Sequence, residues 1–202
     1  MITKSTICNL ALSRLGDKKT VENIDNPTTQ TEKTFQKWYD VTRRATLRKM
    51  MPSFARKRKL WAKSNFKPDF GYEFAYDYRS DCVKVLGLGN LDEPITDYVV
   101  EGLHILTNTD FPDGLPVRYV EDVEDISLYD DNFIELFSLL LALNVAPEIT
   151  ESANIIKYLQ EMIQIKSSEV MAVGSQENKP IVIKSSRLAN ARRGLGYGVS
   201  KK

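Results

Sequence analysis

The chain has one histidine and two cysteines in 202 residues. Cys8 and Cys82 stand far apart and no Cys-x-x-Cys spacing occurs, so neither a thiolate metal site nor a disulfide framework is on offer. Both thiols are expected to be reduced and at least half-buried. His104, the lone imidazole, falls in a predicted strand without a nucleophile or a metal-ligand partner nearby. That setting suits a packed or surface strand residue better than a catalyst. Gly87-Leu88-Gly89 and Gly194-Leu195-Gly196-Tyr197-Gly198 contain glycines but lack the strand–turn–helix context of a phosphate-binding loop. Long apolar runs are missing too. The most apolar window, Phe133–Ala146, holds Glu135 and Asn144 and falls short of the roughly 20 residues a membrane span needs. A helix buried in protein is expected there. The first sixteen residues interrupt their apolar positions with Lys4, Asn9 and Arg14, unlike a secretory leader. The expectation is a soluble, cytoplasmically made chain with no enzyme activity, cofactor, metal site or membrane contact.

Negative charge is also absent from one long stretch. Between Val41 and Pro68 there is no Asp or Glu, while Arg43, Arg44, Arg48, Lys49, Arg56, Lys57, Arg58, Lys59, Lys63 and Lys67 supply ten positive charges. The whole chain nets only +1, so charge is segregated rather than abundant. Segregation of this kind suits a surface that faces nucleic acid or a neighbouring subunit. An acidic stretch, Glu121, Asp122, Glu124, Asp125, Asp130 and Asp131, lacks EF-hand spacing. It reads as a solvated loop or as a face for the Arg56–Lys59 cluster of another copy, the use of unlike charges that a head-to-tail ring makes.

Periodicity supplies the layout. A first helix is predicted from Lys4 to Leu15, with Ile7, Leu10, Ala11 and Leu15 inward and Gly16 at its end. Thr29-Gln30-Thr31-Glu32 has the form of a capping box. The helix it opens carries Phe35, Trp38, Tyr39, Thr42, Ala45, Leu47 and Met50 until Pro52 ends or kinks it. The middle of the chain changes period. Tyr72, Phe74, Tyr76 and Tyr78 alternate with polar or small residues, and Val83–Leu88 is a second strand. Tyr98–Leu106 reads as a hairpin turning at Glu101-Gly102, and Pro116–Val120 as a further strand. Together they predict one small antiparallel sheet. Asp130-Asp131 then caps a third helix, Phe133–Ala146, broken by Pro147. A fourth, from about Glu151 to Val173, buries Ile155, Leu159, Met162, Ile163 and Val170. The predicted fold class is α+β, mainly α: a helical bundle (1–64 and 129–174) with an inserted β domain (65–128) and an extended C-terminal tail (175–202). After Glu177 the tail has no acid. Ile181, Ile183, Leu188, Leu195 and Tyr197 sit among Arg187, Arg192 and Arg193, a pattern expected of a segment that orders on a partner.

Taken in order, the landmarks resemble one family. Asn9-Leu10-Ala11-Leu12-Ser13-Arg14-Leu15-Gly16 resembles the opening N-x-A-L-x-x-L-G of phage head-to-tail adaptor proteins, the tail tubular protein A-like family of short-tailed phages. Tyr39–Leu47 is similar to its Y-x-x-x-R-x-x-x-L helix. Pro52-Ser53-Phe54-Ala55-Arg56 with Leu60 and Ala62 resembles its P-W-x-F-A-x…L-A turn. Tyr76–Val85 is similar to Y-x-L-P-x-D-C-L-R-V, and Tyr98–Thr107 to Y-x-x-E-G-x-x-I-L-T. Ser53 takes the place of a customary tryptophan and Arg79 that of a common proline. The resemblance spans roughly Thr6–Val173. It implies a non-enzymatic virion protein at the portal–tail junction, assembled in the host cytoplasm. Twelve copies would form a ring under the portal protein, complete the head after packaging, and present a platform to a tail or nozzle protein. Genomic DNA would pass through the channel without sequence-specific binding. The tail would dock on the portal through Ile181, Ile183, Arg187, Leu188, Arg192, Arg193, Leu195 and Tyr197. Subunit or portal contacts are expected at Arg43, Arg44, Arg48, Arg56, Arg58, Glu121, Asp122, Glu124 and Asp125.

A channel densely coated with cations would hold DNA and slow its exit, which favours protein contacts for most of the basic run. The alternative is a nucleic-acid-binding accessory protein that uses residues 43–67 and the tail against phosphates. An enzyme such as a cell-wall hydrolase would need a carboxylate pair in a cleft, and no spacing supplies one.

Overall fold

A computed structural model of the chain describes residues 2–90, 93–150 and 152–176. The tail residues named above lie outside them. The fold is α+β, with four α-helices and two antiparallel sheets among the described residues.

Helix α1 spans Lys4–Leu15, capped by Thr3 and closed by Gly16 at φ 72°. Its inward face is Ile7, Cys8, Ala11, Leu12 and Leu15, whereas Leu10 points out. The buried stripe is centred nearer Cys8 and Leu12 than the simple spacing from Ile7 suggests. Asn9 closes the loop that follows, donating to the Val21 carbonyl at 3.0 Å and accepting from the Val21 amide at 2.8 Å. Helix α2, Gln30–Met50, opens on the expected capping box of Thr29 and Glu32. Glu32 does more than cap. Its two oxygens accept the backbone amides of Glu22, Asn23, Thr28 and Thr29 at 2.8–3.3 Å, which folds the preceding loop onto the helix. Those four donors hold the Glu32 carboxyl well below the usual carboxylate range.

Helix α3, Asp131–Ile149, starts at the Asp130 cap as expected, but Pro147 does not break it. The proline lies in the last turn, where losing one amide donor removes a single helical bond. The helix is buried on most sides, and α1, α2 and α4 (Ala153–Gln176) each pack against it. It is the one helix among the described residues long and apolar enough to cross a membrane. Here its apolar residues form the middle of the main core instead. Four polar side chains on α3 each meet one neighbouring helix. Ser138 accepts from Arg14 of α1 at 3.2 Å, and Glu135 pairs with Lys166 of α4 at 2.5 Å. Asn144 donates to Thr42 of α2 at 2.8 Å, and Glu148 accepts from Thr34, Lys37 and Trp38 of α2 at 3.0–3.1 Å.

Seven strands follow in chain order: β1 Arg56–Trp61, β2 Phe74–Asp77, β3 Cys82–Gly89, β4 Pro94–Ile95, β5 Tyr98–Glu101, β6 His104–Thr107 and β7 Leu115–Glu121. They form two sheets, ordered β1-β7-β3-β4 and β2-β6-β5, where one sheet was expected. Strand β1 lies within the stretch that the sequence reading leaves on the helical side of residue 64. It has no β-branched residue and four cations in a row, so only its pairing with β7 makes it a strand. Beyond Trp61 the chain turns a corner and runs along β2: the Asp77 amide donates to Ala62 at 3.0 Å and the Ser64 amide to Ala75 at 2.8 Å. The β5–β6 loop is Gly102-Leu103, one residue later than expected. Gly102, at φ 58°, occupies the first central position where a two-residue turn of this hand wants glycine.

One face of the larger sheet contributes Val83 and Val120 to the helical core, and the other packs Trp61, Leu115, Val117 and Tyr119 against Tyr76 and Ile105 of the smaller sheet. Replacing Glu32 by Gln is expected to lower the thermal midpoint at neutral pH by a few degrees. The folded pKa is depressed, so the carboxylate's contribution is complete above the unfolded value near 4.3 and is lost as pH falls through the folded value. Melting curves should show the gap between the two proteins steady from about pH 7 to about 5 and narrowing as pH falls below about 4.3 towards about 2. A gap that stays constant across that range is the contrary result.

Candidate interaction surfaces

The basic stretch splits into two parts with different fates. On α2, Arg43 lies at i+4 from Tyr39 and i−4 from Leu47, so all three share the buried face. Its guanidinium is only 3% exposed and spans the gap to the end of β7. Nη1 donates to Asp122 at 2.5 Å and to the Val123 carbonyl at 2.9 Å, and Nε donates to Asp40 at 3.3 Å. Glu124 stands 3.8 Å from Nη2. Burial works against the charge on Arg43, but Asp122, Tyr129 and Asp40 together outweigh it and the guanidinium is held more firmly protonated than usual. Arg44 reaches the other Asp122 oxygen at 3.1 Å, and the Asp122 amide donates to the Asp81 carbonyl at 2.7 Å. Tyr129 donates to the same Val123 carbonyl at 2.8 Å, and burial pushes its hydroxyl up to about 12. One turn along α2, Arg48 donates to the Val83 carbonyl of β3 at 2.7 Å.

These contacts join the helical layer to the larger sheet within one chain. Arg43, Arg44, Asp122 and Glu124 therefore meet each other in cis, whereas the sequence suggested a surface between copies. Arg56 donates to the Met51 carbonyl at 2.7 Å, securing the left-handed residue (φ 50°) that carries the chain from α2 towards β1. Glu121 answers Lys57 at 3.7 Å and Lys59 at 3.5 Å, again within the chain. Asp125 is used locally. The Ser127 hydroxyl and then its amide lower the Asp125 pKa and fix the turn before α3.

Arg58 is different. It sits directly opposite Arg118 of β7, which is opposite Gly87 of β3. Because Gly87 has no side chain, the Arg118 guanidinium lies across it, and a Cβ there would come within 2.8 Å of Nη2. Among the described residues neither Arg58 nor Arg118 has a hydrogen-bond or ion-pair partner. Two grooves of about 740 and 500 Å³ meet at this pair. Sequence reading missed Arg118 because its neighbour β1 was not recognised as a strand. The available signal was the alternation Pro116, Arg118, Val120, which puts all three on one face.

His104 is a packed strand residue. Phe66 stacks on its ring at 4.6 Å, and Asp77 stands 3.8 Å from Nε2. Both cysteines are free and buried. Burial pushes the Cys8 thiol up to about 12 and raises that of Cys82, which sits against the Tyr78 hydroxyl at 3.2 Å. Among the described residues no group of three His, Cys, Asp or Glu side chains converges as a metal site.

Arg43→Ala is expected to cost about 3 kcal/mol or more, because it strands Asp122 without its main partner in a mostly buried position. Arg44→Ala, at a half-exposed site, should cost about 1 kcal/mol or less. Urea unfolding of the two variants separates them, and equal losses would deny Arg43 its special role. Intact protein should also resist thiol-directed alkylation until it unfolds. No family model matches this chain, and no curated protein is similar to it.

Proposed function

We propose that this chain is a structural virion protein, a ring adaptor between portal vertex and tail that extends the DNA channel and completes the head. The observation that carries this reading is the ordered series of adaptor-like landmarks, together with the kind of position each one occupies. Asn9 pins the loop after α1, Ala11, Leu12 and Leu15 are core, and Gly16 needs its left-handed φ. Tyr39, Arg43 and Leu47 are the buried face of α2. Ala55, Cys82, Ile105, Leu106 and Thr107 are buried, and Gly102 makes the hairpin turn. Most of the matched positions specify the fold, although Leu60, Ala62 and Glu101 are exposed; matches at fold-specifying positions support a shared architecture more strongly than the same number on a surface would. The two departures fall where they cost little: Ser53 is exposed, and Arg79 is exposed and paired with Asp81 at 2.6 Å.

In this reading the helices form a bundle that builds a ring of twelve copies, and residues 175–202 dock on the portal protein. The platform for a tail or nozzle protein lies on the β side. The internal neutralisation of Arg43, Arg44, Lys57 and Lys59 favours this reading over an accessory nucleic-acid binder, since those charges already have carboxylate partners.

The test is to mix the full chain with the portal encoded in the same genome and weigh the product. A closed ring on the portal is expected, lost when the chain is cut after Gln176. Absence of association, with salt-sensitive duplex binding in its place, overturns the adaptor reading. Undiminished docking by the shortened chain overturns the role of the tail alone.

A further inference from the structure

Like charges placed opposite one another on neighbouring strands destabilise a sheet unless something neutralises them. Arg58 and Arg118 are such a pair on the larger sheet. Around them the grooves are lined by Leu60, which is 60% exposed, and by Pro116 and Leu86, with Glu93 on the rim. An occupant that fits must bring carboxylates for two guanidinium forks and apolar groups for Leu60 and Pro116. A phosphodiester tract brings anionic oxygens for the arginines but no apolar groups for Leu60 and Pro116.

A surface of that description lies elsewhere on this chain. The outer face of α4 carries Tyr158, Glu161, Ile165 and Glu169, all exposed. Their spacing of three and four puts them on one strip roughly 16 Å long. Tyr158 and Ile165 are 53% and 54% exposed. Glu161 has no ion-pair partner among the described residues, and Glu169 touches only Lys166, at 3.5 Å. We propose that the Arg58–Arg118 face of one copy receives the Tyr158–Glu169 face of α4 from a second copy. Glu161 and Glu169 neutralise the arginine pair, while Ile165 and Tyr158 cover Leu60 and Pro116. Because the two faces differ, the contact is head-to-tail, and repeating it generates a ring when the rotation closes. The inference rests on the ring reading above and names its subunit contact.

The test uses the full chain, alone at rising concentration in the ultracentrifuge and with its portal by native mass spectrometry. Arg58→Glu with Arg118→Glu should weaken self-association at least about tenfold. Glu161→Arg with Glu169→Arg should do the same, and an equal mixture of the two variants should recover association, because an alternating arrangement restores opposite charges at every contact. Melting curves check that each variant folds. If the arginine reversals unfold the chain, Gly87→Ala displaces only the tip of Arg118 and should still weaken association.

Rings that form undiminished in these variants overturn this contact and leave the ring reading standing. A wild-type chain that stays monomeric under both conditions overturns both. Loss of salt-sensitive duplex binding in the arginine variant, without recovery in the mixture, makes phosphate the occupant and overturns the proposal.

Discussion

The two halves of this fold are held in register by one buried guanidinium. Arg43 is part of a helix that packs against other helices, yet its hydrogen bonds end on the segment that leaves the central strand of a sheet. Desolvating an arginine is costly, and the cost is tolerable only because carboxylate and carbonyl oxygens satisfy the planar fork from several directions. A lysine at the same place would bring one compact charge and could not serve Asp122, Val123 and Asp40 together. The helical layer and the larger sheet therefore meet at one relative position, and the apolar contacts of Val83 and Val120 with the helices follow from it.

The same economy recurs inside the helical layer. An apolar helix such as α3 has little in its hydrophobic pattern to decide how it rotates or slides against its neighbours. Its few polar residues decide it, since Ser138, Glu135, Asn144 and Glu148 each reach a particular helix. Burying a polar group commits the structure to the arrangement that satisfies it.

Features written into local chemistry were legible in the sequence. The Thr29–Glu32 capping box, the Gly16 stop and the Asp130 cap depend on short-range geometry, and all three stand in the structure. What depended on distant partners was not legible. Strand β1 is a run of cations whose extended form comes from pairing with β7, and the second sheet exists because the chain turns a corner after Trp61. The charge segregation was visible, but its purpose was not. Periodicity placed Arg43 on a helix without revealing that Asp122, 79 positions on, would fold back to meet it.

The cationic character of β1 has a consequence for how copies of this chain meet. As the outermost strand of its sheet, β1 leaves one side of its backbone open to an additional strand from another molecule. Four successive lysines and arginines on each of two such edges would repel one another before any ladder formed. Growth by strand stacking is thus discouraged on this side, and contacts between copies are directed onto side-chain faces. A chain built this way can accumulate in quantity while its sheet edge stays unpaired.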